Sequence, residues 1–200
     1  LDSAHIQEKD AEWEARRAHN GRGRGQPHPI LYTVAQAQAC LRQLRREEYD
    51  QPFLPHPAVR VCLRDAGHIL GSAIAEVWLE EGGATRKLVF SGDLGMPARP
   101  VLRDPQPIGS ADVLLVESTY GNRLHKSLEA TEDELVEAIE RTLRRKRGNV
   151  VMPAFSVGRT QEVIFVLADL VRRGRLKDLQ VVVDSPMSMA ATEITLRHTS

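Results

Sequence analysis

Three short segments of this sequence combine ionisable side chains with glycine in a way that suits metal binding or proton transfer. His68 lies in D-A-G-H-I-L-G-S, Asp93 in S-G-D-L-G and Glu117 in E-S-T-Y-G. Glycine lets the chain turn sharply where a strand ends, so that a neighbouring side chain can point into a cleft. Neutral imidazole and carboxylate oxygens are ordinary zinc ligands, and a carboxylate can bridge two metal ions.

Each of these residues also has a structural explanation when it is taken alone. A single histidine is often a hydrogen-bonded turn residue, an aspartate beside glycine often forms a turn, and a glutamate after a strand can cap the following loop. The interpretation as a site depends on His68, Asp93 and Glu117 being brought together by the fold.

The elements that must position them are predicted strands. Short apolar segments separated by Gly, Pro and Asp predict strands at 59–63, 73–79, 87–90 and 113–116. Gly82 and Gly83 supply a turn between the second and third of these, which predicts a hairpin and an antiparallel sheet.

After Gly121 the pattern changes to alternating helices and strands. Apolar residues at helical spacing predict helices around 135–143 and 163–171, with strands at 150–152 and 181–183. Such alternation predicts an α/β fold with parallel strands. The change of pattern places a domain boundary near residues 118–125, and Ser156 is predicted to cap the second helix.

The first fifty residues offer little chemistry. A charged stretch at 7–19 predicts a solvated helix, and G-R-G-R-G at 21–25 predicts a loop, with contact to phosphates as the less favoured alternative. Thr33 and Gln36 form a capping box that predicts an amphipathic helix over 34–46.

Composition narrows the classes of function. The 200 residues contain 27 Lys and Arg and 27 Asp and Glu, so there is no overall basic field to attract nucleic acid. Cys40 and Cys62 lie outside any metal-binding spacing and are predicted to be buried apolar residues in a reducing compartment. No membrane helix or signal peptide is evident, which predicts a cytoplasmic protein with no membrane partner.

Taken in order, the motifs resemble those of the β-CASP branch of the metallo-β-lactamase superfamily. In that branch G-H-x-L-G-S/A supplies a zinc-binding histidine, S/T-G-D a zinc-bridging aspartate and E-S-T-Y-G an acidic residue. Two later segments of the sequence are also similar to the family pattern, namely P-A-F-S-V-G-R-T-Q-E at 153–162 and V-D-S-P-M at 183–187. The E-S-T-Y-G form is typical of the RNA-directed members.

The resemblance implies a fold and a set of roles. Residues 1–121 correspond to part of an αββα sandwich, and residues 122–200 to the beginning of an α/β β-CASP domain. His68 and Asp93 are implied as ligands of two zinc ions that activate a water for hydrolysis of an RNA phosphodiester. Glu117 is implied to orient a histidine that acts on the leaving oxygen. The implied contacts to RNA are Ser118, Tyr120 and Arg159, the last with pairing to Glu162 as an equal alternative.

One family motif does not occur in the sequence. The dizinc site of the family uses H-x-H-x-D-H, and none of the seven histidines has that spacing. Two ligands are fewer than the three that a catalytic zinc normally has. The expectation is therefore a piece of a longer enzyme that binds catalytic metal weakly and is inactive alone, with the later histidines beyond Ser200.

Several alternatives remain open at this stage. They are a catalytically inactive RNA-binding or scaffold member, a DNA nuclease of the same branch, and a small-molecule thioester or lactam hydrolase. The β-CASP-like portion after Gly121 counts against the last. Manganese is possible in place of zinc, and self-association into a homo-oligomer is possible.

Overall fold

A computed structural model describes residues 1–19 and 29–198. The chain forms two compact units, Leu1–Glu47 and Glu48–Ser200. In the described ranges, no helix is both long enough and apolar enough to cross a membrane. The predicted domain boundary near residue 121 stays a prediction.

The first unit contains two helices, α1 (Asp2–His19) and α2 (Val34–Cys40), followed by a 3-10 turn at Leu41–Gln43. The capping box is confirmed, since Thr33 Oγ1 accepts from the Gln36 amide at 3.2 Å and Gln36 Oε1 accepts from the Thr33 amide at 2.9 Å. The predicted helix over 34–46 is too long, because the backbone becomes extended at Leu44. The predicted G-R-G-R-G loop lies outside the described residues.

The second unit is built on a five-stranded sheet in the order β1-β2-β3-β4-β5. The strands are β1 (Phe53–His56), β2 (Val59–Asp65), β3 (Ala73–Glu81), β4 (Ala84–Phe90) and β5 (Val113–Leu115). The first four pair antiparallel. The predicted hairpin is β3–β4, and its turn residues Gly82 and Gly83 have φ values of 57° and 80°, which glycine adopts readily.

The direction of the strands positions the candidate residues. Since β3 is antiparallel to both β2 and β4, these two run the same way, and β5 pairs parallel with β4. The carboxyl ends of β2, β4 and β5 therefore meet at one edge of the sheet. These are the ends followed by His68, Asp93 and Glu117.

The core of the sheet is small and lies beside this edge. Ala66, Ile74 and Val89 are buried together, with Leu94 and Ile108 packed against them. Cys62 is also buried, as predicted. The prediction for Cys40 is wrong, because Cys40 is exposed on α2, a short helix with no buried residue.

The second unit also contains three helices, α3 (Leu128–Glu140), α4 (Arg159–Arg172) and α5 (Pro186–His198), in its described residues. α3 continues as a π-helical turn over Arg141–Arg145. Four buried side chains form the core between the helical segments, and they are Ile139, Leu167, Leu170 and Leu176. Together with the mixed sheet, these helices confirm the α/β fold class.

Two of the predicted strands are wrong. Residues 150–152 and 181–183 have no strand assignment, and Val151 and Val182 are 86% and 77% exposed. A strand is stabilised by the ladder of hydrogen bonds to its neighbour. Within residues 1–19 and 29–198, neither segment pairs with another strand, so their β-branched composition alone does not make a sheet.

Candidate active site

His68 lies in a tight loop that follows β2. The Asp65 carboxylate accepts a hydrogen bond from the Gly67 amide at 2.8 Å, which starts the turn. Ser72 Oγ then accepts from the amides of His68 and Ile69, at 3.1 and 3.2 Å. These contacts hold the backbone at His68 while its side chain remains exposed.

The loop that carries Asp93 packs directly on the His68 loop. The Gly95 amide donates to the Ala66 carbonyl at 2.8 Å. A Cβ atom on Gly95 would lie 1.8 Å from the Gly67 carbonyl oxygen, so the two backbones approach too closely for any side chain there. Glycine at 95 is thus required for the two loops to meet.

This packing places the first two candidates side by side. His68 Nε2 lies 4.0 Å from Asp93 Oδ2, and the side chains are 43% and 75% exposed. Both groups are open to solvent, and neither has a closer ion-pair partner among the residues that the structure describes. An imidazole nitrogen and a carboxylate oxygen at this separation are the type of donors that zinc binds.

The donor set fits part of a metal site. Among the residues that the structure describes, no group of three or more His, Cys, Asp and Glu side chains is arranged to hold a metal ion. His68 and Asp93 are therefore two suitable ligands that lack a third from the described part of the chain.

Glu117 joins the same edge of the sheet through buried Ser91. The Ser91 amide donates to the Leu115 carbonyl at 2.9 Å, and Ser91 Oγ accepts from the Glu117 amide at 3.1 Å. Glu117 Oε1 in turn accepts from the amide of Leu94, the residue after Asp93, at 2.5 Å. The ends of β4 and β5 are thereby fixed to each other on both sides of Asp93.

These contacts favour the ionised form of Glu117. Hydrogen bonds from the Leu94 amide and from Thr119 lower the pKa of this carboxyl below its usual value, and the electrostatic interaction with His68 acts in the same direction. At neutral pH Glu117 is a hydrogen-bond acceptor, which suits a group that orients another side chain.

Ser118 and Tyr120 lie in the turn immediately after Glu117. The turn is closed by a hydrogen bond from the Gly121 amide to the Ser118 carbonyl at 3.2 Å. Tyr120 is 54% exposed. It contacts the His125 ring edge-on at a centroid distance of 4.8 Å, and the Arg123 guanidinium lies 5.4 Å from its centroid.

Arg159 begins α4, and Gly158 rather than Ser156 is the residue that caps this helix. The predicted role of Ser156 is wrong, because its hydroxyl contacts Ser185 Oγ at 3.3 Å instead. Arg159 Nη1 lies 2.7 Å from Glu162 Oε2, while the Arg159 side chain is still 60% exposed. Pairing with Glu162 therefore leaves Arg159 accessible.

Sequence reasoning did not identify Arg99. This residue lies in the proline-flanked loop after Asp93, and its Nη1 is 3.3 Å from Glu162 Oε1. An isolated arginine in a loop carries no local signal of function. The contact with Glu162 joins segments that are far apart in the sequence, so it becomes visible only in the folded chain.

Comparison with known proteins finds relatives that are named as ribonucleases and as transcription termination factors. The chain is 38% identical to ribonuclease TTHA0252 of Thermus thermophilus over 149 residues, which are 74% of this chain and 33% of that protein. It is 39% identical to the transcription termination factor FttA of Pyrococcus abyssi over 69% of this chain and 21% of that protein. It is 35% identical to an RNase J-like protein of Methanocaldococcus jannaschii, over 62% of this chain and 29% of that protein.

The matched region spans a third or less of the length of these curated relatives. No protein-family model matches the chain. The similarity nevertheless extends over most of the chain, including the strand ends that bring His68, Asp93 and Glu117 together. The chain belongs to the β-CASP branch of the metallo-β-lactamase superfamily.

Proposed function

We propose that this chain is part of a metal-dependent nuclease that hydrolyses RNA phosphodiester bonds. The observation that carries the proposal is the meeting of His68 and Asp93, 4.0 Å apart, at the sheet edge where Glu117 also lies. The names of two relatives, ribonuclease and RNase J-like protein, support RNA as the substrate.

In this proposal His68 and Asp93 are metal ligands. The chemistry that bound metal supplies is activation of a water molecule and stabilisation of charge on the scissile phosphate. The loops that carry these two side chains are fixed. Ser72 holds the backbone of the His68 loop, and Gly95 packs the Asp93 loop on it. The remaining ligands would come from outside the described residues. Imidazole with carboxylate suits zinc, and manganese is the alternative.

Glu117 is proposed as a positioning residue for a histidine near the leaving oxygen. Its carboxylate accepts hydrogen bonds from the Leu94 amide and from Thr119, so its orientation is set. A fixed acceptor of this kind selects the tautomer and orientation of an imidazole. Glu117 thereby acts through another group and does not touch the phosphate.

Ser118, Tyr120 and Arg159 are proposed to contact the RNA. The exposed Tyr120 ring offers a face for stacking an unpaired base, a contact that does not depend on sequence. The Arg159 guanidinium retains N–H donors for a phosphate oxygen. The proposed domain boundary at residues 121 and 122 puts Arg159 in the second domain and Tyr120 at the end of the first.

The test uses the full-length protein that contains this chain, a labelled single-stranded RNA and the Asp93→Ala variant. Metal content by elemental analysis should give about two ions per chain, and Asp93→Ala should abolish cleavage. Asp10→Ala, which removes an exposed aspartate of α1, is the matched control and should cleave normally.

Two results would overturn the proposal. RNA binding without metal or cleavage would identify a scaffold protein, and cleavage of single-stranded DNA in preference to RNA would identify a DNA nuclease. Cleavage that persists in Asp93→Ala would remove Asp93 from the site.

A further inference from the structure

Glu162 on α4 contacts two arginines from different parts of the chain. Its Oε2 lies 2.7 Å from Arg159 Nη1 and its Oε1 lies 3.3 Å from Arg99 Nη1. The Glu162 side chain is only 20% exposed, whereas Arg99 and Arg159 are 27% and 60% exposed. One carboxylate therefore holds two guanidinium groups next to each other, and Arg159 faces solvent.

The charges of this group do not cancel. Two arginines and one glutamate leave one net positive charge, which matches the single negative charge of a phosphodiester. Each guanidinium has five N–H donors, and the contacts to Glu162 use one terminal nitrogen of each. Within the described part of the chain, the second terminal nitrogen of Arg99 contacts the weak acceptor Met96 Sδ, at 3.4 Å, and no stronger acceptor. Donors remain for an oxyanion.

The group also lies against the loops of the candidate active site. Arg99 follows Asp93 in the same loop. On the other side, Gly158 immediately precedes Arg159, and a Cβ at Gly158 would lie 2.8 Å from Ile69 Cγ2, next to His68. The start of α4 is therefore packed on the His68 loop, and Gly158 has a φ of 83° that favours glycine there.

We propose that Arg99 and Arg159 form a clamp for one phosphodiester of the RNA, adjacent to the phosphate that is cleaved. Arg99 is a substrate-binding residue, and Glu162 is the positioning residue that holds both guanidinium groups. Arginine suits this task because its planar fork can donate two hydrogen bonds to one phosphate. The inference rests on the proposed function in that RNA is the ligand.

A purely structural role would have a different signature. If Glu162 only ties α4 to the loop after Asp93, Arg99→Ala would reduce stability and weaken all RNA contacts alike. A clamp instead couples Arg99 to one particular linkage. The test must therefore resolve individual phosphates.

The experiment measures binding of the full-length protein to a short single-stranded RNA by fluorescence anisotropy. A series of RNAs carries a neutral methylphosphonate at one linkage at a time. In the wild type, the linkage held by the clamp should weaken binding roughly tenfold when it is neutral, the scale of a charge-assisted hydrogen bond. In Arg99→Ala, making that linkage neutral should lose most of its effect on binding. The negative slope of log K against log salt concentration should become shallower by about 0.7.

Three further variants complete the design. Glu162→Gln adds net positive charge, yet it should also reduce the effect of that linkage, because the guanidinium groups lose their common anchor. Arg172→Ala is the matched control, since Arg172 pairs with Asp169 on the same helix in the same i,i+3 arrangement. Arg172→Ala should keep the wild-type profile. Arg99→Lys, which keeps the charge but loses the fork, should give an intermediate effect and guards against misfolding of the alanine variant.

The outcomes separate this inference from the proposed function. If folded Arg99→Ala or Arg99→Lys responds to each methylphosphonate as the wild type does, the clamp is overturned, whether or not the protein cleaves RNA. If one linkage weakens binding when it is neutral, and this effect depends on Arg99, the clamp is supported. If the same protein does not cleave RNA, the proposed nuclease activity is rejected.

Discussion

The α-carbon of Gly95 faces the carbonyl group of Gly67 so closely that a Cβ on Gly95 would stand 1.8 Å from that oxygen. The contact joins the loop after β2 to the loop after β4. It holds together the two loops that carry His68 and Asp93, whose side chains lie 4.0 Å apart.

We predict that Gly95→Ala separates the two loops. The methyl group cannot be accommodated without a backbone shift, which costs about 1–3 kcal/mol of the free energy of unfolding. Urea denaturation measures the change. Gly109→Ala is the control, because a Cβ at Gly109 has no heavy atom within 4 Å, and it should change stability by less than about 0.5 kcal/mol. Equal stability of the two variants would show that the loops can separate freely.

A second prediction concerns Gln161, which is buried at 5% exposure. Its Oε1 accepts from the Gly158 amide, and its Nε2 donates to the carbonyls of Ser156 and Ser188 and to Thr192 Oγ1. Gln161→Leu removes all of these hydrogen bonds and takes a partner from the part-buried Gly158 amide and Ser156 carbonyl, so we expect a loss of about 2–4 kcal/mol. Thr192→Val removes only one of these partners and should cost about 1 kcal/mol. Thermal and urea unfolding of both variants compare the two, and a smaller loss for Gln161→Leu would contradict the prediction.

A third prediction concerns Glu76 on β3, which is 4% exposed. Arg64 Nε lies 2.6 Å from its Oε2, and Lys87 Nζ contacts Oε1. Glu76→Gln removes the carboxylate that pairs with Lys87 and one of the two carboxylates that pair with Arg64, whose Nη1 still lies 2.6 Å from Asp50 Oδ1. It should lower the free energy of unfolding by about 2–4 kcal/mol. Glu80→Gln, at an exposed position on the same face of β3, should be nearly neutral by the same measurement.

The same carboxylate predicts a dependence on pH. Burial alone would raise the pKa of Glu76, but hydrogen bonds and charges from Lys87 and Arg64 lower it below the usual 4.5. The folded state therefore releases this proton more readily than the unfolded state. The contribution of Glu76 to stability is complete above pH 4.5 and is lost as the pH falls through the lower folded-state pKa.

The difference between wild type and Glu76→Gln isolates this effect from other acids. Urea unfolding at a series of pH values should give a constant difference near neutral pH that shrinks in acid. A difference that grows as the pH falls would mean that the folded-state pKa is raised.

The sequence was sufficient to predict the strands around the site. Segments 59–63, 73–79, 87–90 and 113–116 all lie in or beside β2 to β5, because local apolar patterns and the Gly82-Gly83 turn determine a meander. The meeting of His68 with Asp93 then follows from strand direction. The helical segments around Ile139 and Leu167 were also predictable from their apolar spacing.

Other features depend on contacts that a local pattern does not contain. Val151 and Val182 have strand-forming side chains but no pairing strand among the described residues. Arg99 acquires its contact only through Glu162 on a distant helix. Serine is a residue type that often caps helices, but Ser156 does not cap α4. The helix begins after Gly158, whose amide donates to Gln161 Oε1.

The order of the strands also has a consequence for folding kinetics. β2, β3 and β4 are joined by short connections in an antiparallel meander, whereas β5 reaches its parallel place beside β4 only after the long segment between Phe90 and Val113. Contacts that close short loops form sooner than those that close long ones. We expect His68 and Asp93 to become neighbours early in folding and Glu117 to arrive later. Pulsed hydrogen exchange would show this as amide protection in β3 that precedes protection in β5.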